Sequence, residues 1–409
     1  MRVPNIAPAK EVIITPYILT LNAGSSSIKF AFFSADATPE RLLHGKMERV
    51  GLADPILELI DLSSNSKSTF PVTGSDQATC ARFLLDFLST RYKNYSLQAV
   101  GHRIVHGGRD MFAPTRIDDK LMSDLKRISN LAPSHLPVEI LLIEEISRRH
   151  PTLPQLACFD TGFHASMPQE AKLLPLPRKY FERGVQRYGF HGISYSYIVE
   201  ELERLQEPAI KNGRVVIAHL GNGASMAAVK NGRSVDTTMA FTPAGGLVMS
   251  SRSGDLDPGI LTYFALAHNF SPEQLHRMVT TESGLLGLSE TSSDVRDLLA
   301  LEATDERAGE ALSIFCYQAR KWIGALAAAM GGLELLVFAG GIGENSAVIR
   351  HRICDELAFL GVVLDPIRNE RNDFLISTER SPVRVLRVQT DEEAYIARNV
   401  YHKLTEGNQ

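Results

Sequence analysis

Apolar residues gather in short runs that end on clusters of small and polar residues. The stretch 17–33, YILTLNAGSSSIKFAFF, reads as strand, Gly/Ser turn, strand, because small residues tolerate the backbone angles of a tight reversal. Residues 214–229, RVVIAHLGNGASMAAV, have the same form about two hundred residues later, which points to a coarse internal duplication. Between these hairpins, 121–131 and 137–149 carry apolar residues at helical spacing, while AVGHRIVHGG and LACFDTGFH read as strands running into loops. A long helical pattern at 306–330 precedes the β-type run LLVF and the turn AGGIGENSA. A last helix, EEAYIARNVYHKL, is introduced by Thr390, with Glu393 three places later, a spacing that matches a capping box and leaves Glu392 free for another role. Strands and helices mixed throughout define an α/β protein with helices packed on mixed sheets.

The window 323–343 is the one that resembles a membrane span, with Glu334 as its single charge. Gly331 and Gly332 break it, so it reads as a buried helix that ends in glycines and leads to a core strand. The N-terminal MRVPNIAPAKEVIITPYI is interrupted by Pro4, Pro8, Glu11 and Pro16 and lacks the apolar core of a signal peptide, so it reads as a short irregular extension.

A chain of 409 residues exceeds one ordinary core, and two domains are expected. A net charge of -4 gives no general basic field for nucleic acid or an anionic membrane, and neither partner is expected. Cys80, Cys158, Cys316 and Cys354 form no CxxC pair and read as reduced thiols of a cytoplasmic protein.

The small-residue turns carry the candidate chemistry. NAGSSS with Lys29 lets backbone N–H groups approach a phosphate, adds a point charge, and offers the Asn22 amide oxygen to a metal. A plain hairpin with a solvated lysine competes with that reading. HLGNGAS, beginning at His219, repeats the logic, and the pair would clamp a polyphosphate. Gly341 and Gly343 of AGGIGENSA resemble the first two glycines of a dinucleotide fingerprint, with Asp365 placed for a ribose contact, so a dehydrogenase is a rival reading. Arg103 in GHRIVHGG and Arg252 in SSRSGDLDP offer rigid forks for carboxylate or phosphate oxygens, with surface ion pairing as the alternative. Asp160 and His191 follow apolar runs that would present them to a cleft, or serve as a cap and a packed loop histidine. His102 and His106 lack a third ligand, and zinc is rejected. Neither a GxxxxGK[ST] loop, an HRD/DFG set nor a GxSxG elbow occurs.

Taken in order, NAGSSSIKF, GHRIVHGG, LAPSHLP, FDTGFH, RYGFHGIS, HLGNGAS, DTTMAFTP, SRSGDLDP, GGIGEN and TDEEAYIARNV resemble the acetokinase family of the actin, sugar kinase and Hsp70 superfamily, over nearly the whole chain. The resemblance implies two duplicated ribonuclease H-like domains with mixed sheets flanked by helices and a nucleotide cleft between them. It places one domain at 1–162 plus 393–409, completed by the C-terminal helix, and a second at 163–392 carrying the adenosine site. It implies ATP-dependent phosphorylation of acetate to acetyl phosphate and ADP, by direct in-line attack, in a homodimer. By motif, Asn22 and Glu392 would hold Mg²⁺ (or Mn²⁺). Lys29, His219, Leu220, Gly221, Asn222 and Gly223 would contact nucleotide phosphates. Asp294, Val295 and Arg296 match the nucleoside segment, and Gly341, Ile342, Gly343, Glu344 and Asn345 the adenosine turn. Arg103, Arg252, Asp160 and His191 would be catalytic, with Arg103, Val105, Phe190 and Pro243 around the acyl group.

The chain departs from the family pattern at Ser134, Leu136, Ala244, Gly245 and Ser250, and HGISY stands for the usual HGTSH at Ile193 and Tyr195. Smaller wall residues would admit propionate or a larger acid, so another short-chain carboxylate kinase is an alternative. An actin- or Hsp70-like ATPase is a third, which would hydrolyse ATP without response to acids.

Overall fold

Tyr17–Ala23 pair antiparallel with Ile28–Ser34, so the first hairpin forms as its pattern predicts, with Asn22 opposite Lys29 beside the turn. The computed structural model describes residues 15–24, 27–92 and 95–406. The irregular extension through residue 14, and Ser25 and Ser26 of the first turn, lie outside the described residues. The chain divides into two compact units. One holds the described residues up to His106, Ala113–Cys158 and those from Glu393 onward; the other holds Gly107–Phe112 and Phe159–Glu392.

The first unit is built on β1 (Thr15–Ala23), β2 (Ser27–Ser34), β3 (Arg41–Glu48), β4 (Ile56–Asp61), β5 (Ser66–Pro71), β6 (Tyr95–Ile104), β7 (Thr115–Arg116) and β8 (Gln155–Phe159), in the order β5-β4-β3-β2-β1-β6-β8-β7. β1 lies antiparallel to β2 and parallel to β6. Alternate residues Leu19, Leu21, Phe30 and Phe32 pack with Leu84 and Leu88 of helix Gln77–Arg91 and with Leu142 and Ile146 of helix Leu136–Arg149. Against β6 lies the C-terminal helix Glu392–Glu406. A Cβ on Gly101 would sit 2.4 Å from Ile396 Cγ2, so only glycine permits this approach.

The second unit contains β9 (Arg214–Leu220), β10 (Ala224–Lys230), β11 (Arg233–Thr237), β12 (Leu335–Ala339) and β13 (Arg384–Arg387), ordered β11-β10-β9-β12-β13. β9 pairs antiparallel with β10 and parallel with β12, the same neighbourhood that β1 has in the first unit. The fold is thus α/β with two mixed, helix-flanked sheets and a repeated strand–hairpin–parallel-strand unit. One face of the second sheet is covered by Tyr195, Ile198 and Leu202 of helix Gly192–Arg204, packed on Val215, Ile217, Val229 and Val337.

The helix expected at 306–330 runs over Glu306–Met330. It begins where Asp305 accepts the Arg307 and Ala308 amides, and ends at Gly331 in the left-handed region at φ 77. Leu312, Phe315, Ile323 and Leu326 are buried along one face, and each such side chain contributes about 1.5–3 kcal/mol of apolar transfer. No described helix is long and apolar enough to cross a membrane. The capping-box expectation at Thr390 is corrected. The last helix starts at Glu392, and both the amide and the hydroxyl of Thr390 donate to Glu344 Oε1 at 3.1 Å.

Candidate active site

Asp160 follows the last residue of β8 and is fully buried. Its Oδ2 accepts the His191 amide at 3.0 Å and Oδ1 the Ile193 amide at 3.4 Å, while its carbonyl accepts from Gly192 N at 2.7 Å. The carboxylate therefore stabilises the first turn of helix Gly192–Arg204, where unpaired N–H groups and the helix dipole favour negative charge. His191 takes the left-handed conformation at φ 58 immediately before that helix. Its Nδ1 lies 2.8 Å from Ser225 Oγ, and its ring lies 4.5 Å from that of His219.

Three sequence-predicted groups meet at the β9–β10 turn. A Cβ on Gly223 would fall 2.9 Å from Arg252 Nη2 and 3.1 Å from His191 Nε2, so the guanidinium and the imidazole both reach the backbone of HLGNG. Arg252 is held by Nη1 donating to Pro243 O at 2.6 Å, and its loop is braced by Ser250 N donating to Asn222 O. This binds SRSGD to the phosphate-type turn and brings Pro243 beside Arg252. Phe190 is buried, and its carbonyl accepts from His164 Nε2 at 3.1 Å.

The turn at AGGIGEN is a short helix, Gly340–Asn345, directly after β12. Gly340 has φ +73, and a Cβ there would sit 2.7 Å from Leu220 O, so this turn lies tight against the end of β9. Gly341 faces open space, and its amide nitrogen is 3.7 Å from the point a Gly221 Cβ would occupy. Glu344 is turned inward, where Oε1 accepts Gly340 N at 3.0 Å and both Thr390 groups. Asn345 Nδ2 donates to Gly341 O at 2.9 Å. Beneath lies Arg350, fully buried, with Nη1 on the carbonyls of Gly343 and Glu344 and the rest of the guanidinium on Asn369 and Asn372. Burial lowers its pKa to about 10, which leaves it charged at neutral pH.

Asp294 caps helix Val295–Leu301 and pairs with Arg296, whose guanidinium holds the carboxyl below the usual carboxylate range. Val295 is buried. Glu392 accepts from Ser194 Oγ, on the helix that Asp160 caps. Asn22, Lys29, Arg103 and Val105 lie in the first unit: Asn22 and Lys29 on the first hairpin, Arg103 on β6, and Val105 buried with its amide on both oxygens of Glu139, at 3.2 and 3.1 Å. No group of three or more His, Cys, Asp or Glu suited to a metal occurs among the described residues. Sequence reasoning missed Ser225, Ser194, Glu139 and Arg350 as supports. It noted Tyr195 as a departure without a role, and the structure buries it fully, with Oη 2.5 Å from Ser225 Oγ. Of the other departures, Leu136 is fully buried in the core and Ser134 is exposed.

A duplicated α/β framework with an arginine and a histidine converging on the glycine turn that ends β9 is the setting of a phosphotransferase. The chain matches the acetokinase family model over residues 17–398 and belongs to that family, whose members are ATP-dependent kinases acting on a carboxylate. It is 41% identical over 396 residues to an acetate kinase of Rhodopseudomonas palustris, covering 95% of this chain and 98% of that one. It is 42% identical over 390 residues to a propionate kinase of Citrobacter rodentium, covering 94% and 96%. Among solved structures, Porphyromonas gingivalis acetate kinase superposes with TM-score 0.86 at 35% identity, covering 95% of this chain and 100% of that one. A propionate kinase from Francisella tularensis gives TM-score 0.87 at 34% identity, covering 94% and 98%.

The dehydrogenase reading is corrected. β9 and β10 are antiparallel, so the sheet is not the parallel one a dinucleotide fold requires, and Asp365 caps helix Pro366–Glu370 instead of standing free for a ribose. Family membership likewise sets aside the polymer or chaperone ATPase.

Proposed function

We propose that this chain transfers the γ-phosphoryl group of ATP to acetate, reversibly, giving acetyl phosphate and ADP. The observation that carries the reading is the convergence of Arg252 Nη2 and His191 Nε2 on the Gly223 backbone. A carboxylate oxygen attacks the γ-phosphorus in line, the bond from phosphorus to the bridging oxygen breaks, and ADP departs with that electron pair. The acid is already ionised at neutral pH, so no base has to take a proton from it. The residues therefore align the reactants and neutralise the equatorial oxygens. Arg252 and Arg103 do the neutralising, and His191 donates a hydrogen bond to the transferred group. Asp160 positions His191 through its amide. Lys29 and His219, Leu220, Gly221, Asn222 and Gly223 take the phosphates. Asp294–Arg296 and Gly341–Asn345 receive the nucleoside, and Val105, Phe190 and Pro243 enclose the acyl group.

Asn22 and Glu392 offer the oxygen donors that Mg²⁺ or Mn²⁺ prefers, and Ser194 Oγ donates to the Glu392 carboxylate. When bound, the ion would neutralise phosphate charge. The domain reading keeps 1–162 with 393–409, and 163–392. A homodimer is supported by helix Pro258–Ala267, none of whose residues is buried and which exposes Leu261, Tyr263 and Leu266. A cytoplasmic setting is supported by four free cysteines. No nucleic-acid or membrane partner is part of the reading.

Propionate is the second acceptor considered, because propionate kinases match this chain at the same level of identity. One added methylene changes discrimination by only about 1–3 kcal/mol. The test is acyl phosphate formation from ATP with Mg²⁺, trapped by hydroxylamine, with acetate, propionate and butyrate at equal concentration. Hydroxamate forming fastest from acetate supports the proposal; a higher rate with propionate moves the assignment there. No product from any acid, with ADP bound by the folded protein, removes the kinase reading.

A further inference from the structure

A recess of about 420 Å³ opens in the second unit, formed by the segment Gly107–Phe112, the turn after Asp160 and residues around Arg187. None of the residues assigned above to catalysis, nucleotide or acyl binding lines it. Its volume lies within the range of small-molecule sites.

The charge of its wall is one-sided. Arg109, Lys172 and Arg187 all line it, and no Asp or Glu does. Nor does any of the three form an ion pair with a described carboxylate; their protein bonds go to backbone carbonyls. Lys172 Nζ donates to Ala165 O at 2.7 Å. Arg187 directs Nε and Nη1 to the carbonyls of Ala171, Thr237, Thr238 and Met239. Arg109 is steadied over the Phe181 ring at 4.7 Å and reaches Glu182 O at 3.4 Å. Partial burial pushes the Lys172 amine below its ordinary value, the response of a cation that lacks an anionic neighbour. Cations gathered in a concavity focus the field and raise the local concentration of anions. Met111, exposed Phe112 and Tyr188 supply an apolar side.

We propose that this recess is a second ligand site, one that takes a small organic anion with two negative charges and a short apolar body. Arg109 and Lys172 contact the charges, and Arg187, fixed by its four carbonyls, lends its field. The back of the recess is also the support of the active site. Thr161, next to Asp160, accepts Gly107 N at 3.1 Å through its hydroxyl, and His164 holds the Phe190 carbonyl. A ligand seated here thus rests on the segments that carry Asp160 and His191.

Calorimetric titration of the full chain with succinate and, separately, glycerol 3-phosphate, each with saturating Mg²⁺ and ADP already bound, tests this. One of the two is expected to bind one per chain, and the stronger identifies the anion as a dicarboxylate or a phosphomonoester. The double variant Arg109→Ala/Lys172→Met should weaken that binding about tenfold or more. Lys172→Arg alone should retain it, and unchanged ADP affinity in both variants shows that they fold. Heat from neither anion would overturn the proposal. So would equal affinity in the folded double variant. No turnover is measured, so this proposal and the kinase reading fail separately.

Discussion

His191 and Tyr195 meet on one hydroxyl: Ser225 Oγ lies 2.8 Å from His191 Nδ1 and 2.5 Å from Tyr195 Oη. Burial raises the Tyr195 phenol far above its ordinary pKa, so it stays protonated, and the arrangement in which it donates to Ser225 satisfies its proton. The Ser225 proton then goes to His191 Nδ1, which leaves the imidazole proton on Nε2, the nitrogen beside Gly223 and Arg252. A donor is what a transferring phosphoryl oxygen requires. Ser225→Ala removes the relay and strands a buried phenol, at a cost of about 1–3 kcal/mol in stability. Its kcat should fall about tenfold or more while KM for ATP changes little. Tyr195→Phe, which keeps the serine, should lose less. Steady-state kinetics with denaturant titration of both variants checks this, and unchanged kcat in Ser225→Ala would remove the relay from the mechanism.

Asp160→Asn should be costly because both carboxylate oxygens accept backbone N–H groups at the start of the His191 helix. An amide keeps one acceptor and turns a donor toward the other N–H. The expected result is a kcat reduced by about a hundredfold from misplacement of His191, with the fold retained. Turnover at the parent rate would show that the carboxylate only caps the helix.

Much of this framework was legible because it is local. The two hairpins, the helix over Glu306–Met330 and its glycine stop follow from runs of apolar residues and one left-handed cap. Strands β3 to β5 did not stand out, since β3 fully buries only Leu43 and Met47, β4 only Leu57 and Leu59, and β5 none of its residues, which leaves no long apolar run. The site's glycines, arginines and histidines could be named, yet their supports could not. Asp160 reaches a helix 31 residues on, and Ser194 joins Glu392 across 198 residues. Thr390 fitted a local capping rule but bonds to Glu344, 46 residues earlier, because a buried carboxylate offers a stronger acceptor.

The neighbouring glycines 340 and 341 should respond differently to a methyl group. At Gly340 the φ is +73 and the new Cβ would press on Leu220 O, a backbone atom that cannot step aside. Gly340→Ala should destabilise by about 1–3 kcal/mol and disturb the end of β9. Gly341 has free space around it, so Gly341→Ala should fold as the parent does and raise KM for ATP by obstructing the nucleotide. Thermal unfolding of both, with KM for ATP and for acetate, separates the cases. Parent-like KM for ATP in Gly341→Ala would move the nucleotide away from this turn.

Acid should weaken the fold through its buried histidines. His102 donates Nε2–H to Gln155 Oε1, and His164 donates Nε2–H to Phe190 O while Nδ1 accepts from Ser234, bonds that a neutral imidazole makes. Burial lowers each pKa from 6.5 to about 4. Between those values the unfolded chain binds protons that the folded chain refuses, so stability present at neutral pH is lost as pH falls from 6.5 toward 4. At pH 5 each histidine should account for a loss on the order of 2 kcal/mol. Urea unfolding at pH 7 and pH 5 measures the loss, and His102→Gln, which keeps an amide donor for Gln155, should shrink it. A parent and variant that lose the same stability over that interval would show that His102 is not among the groups responsible.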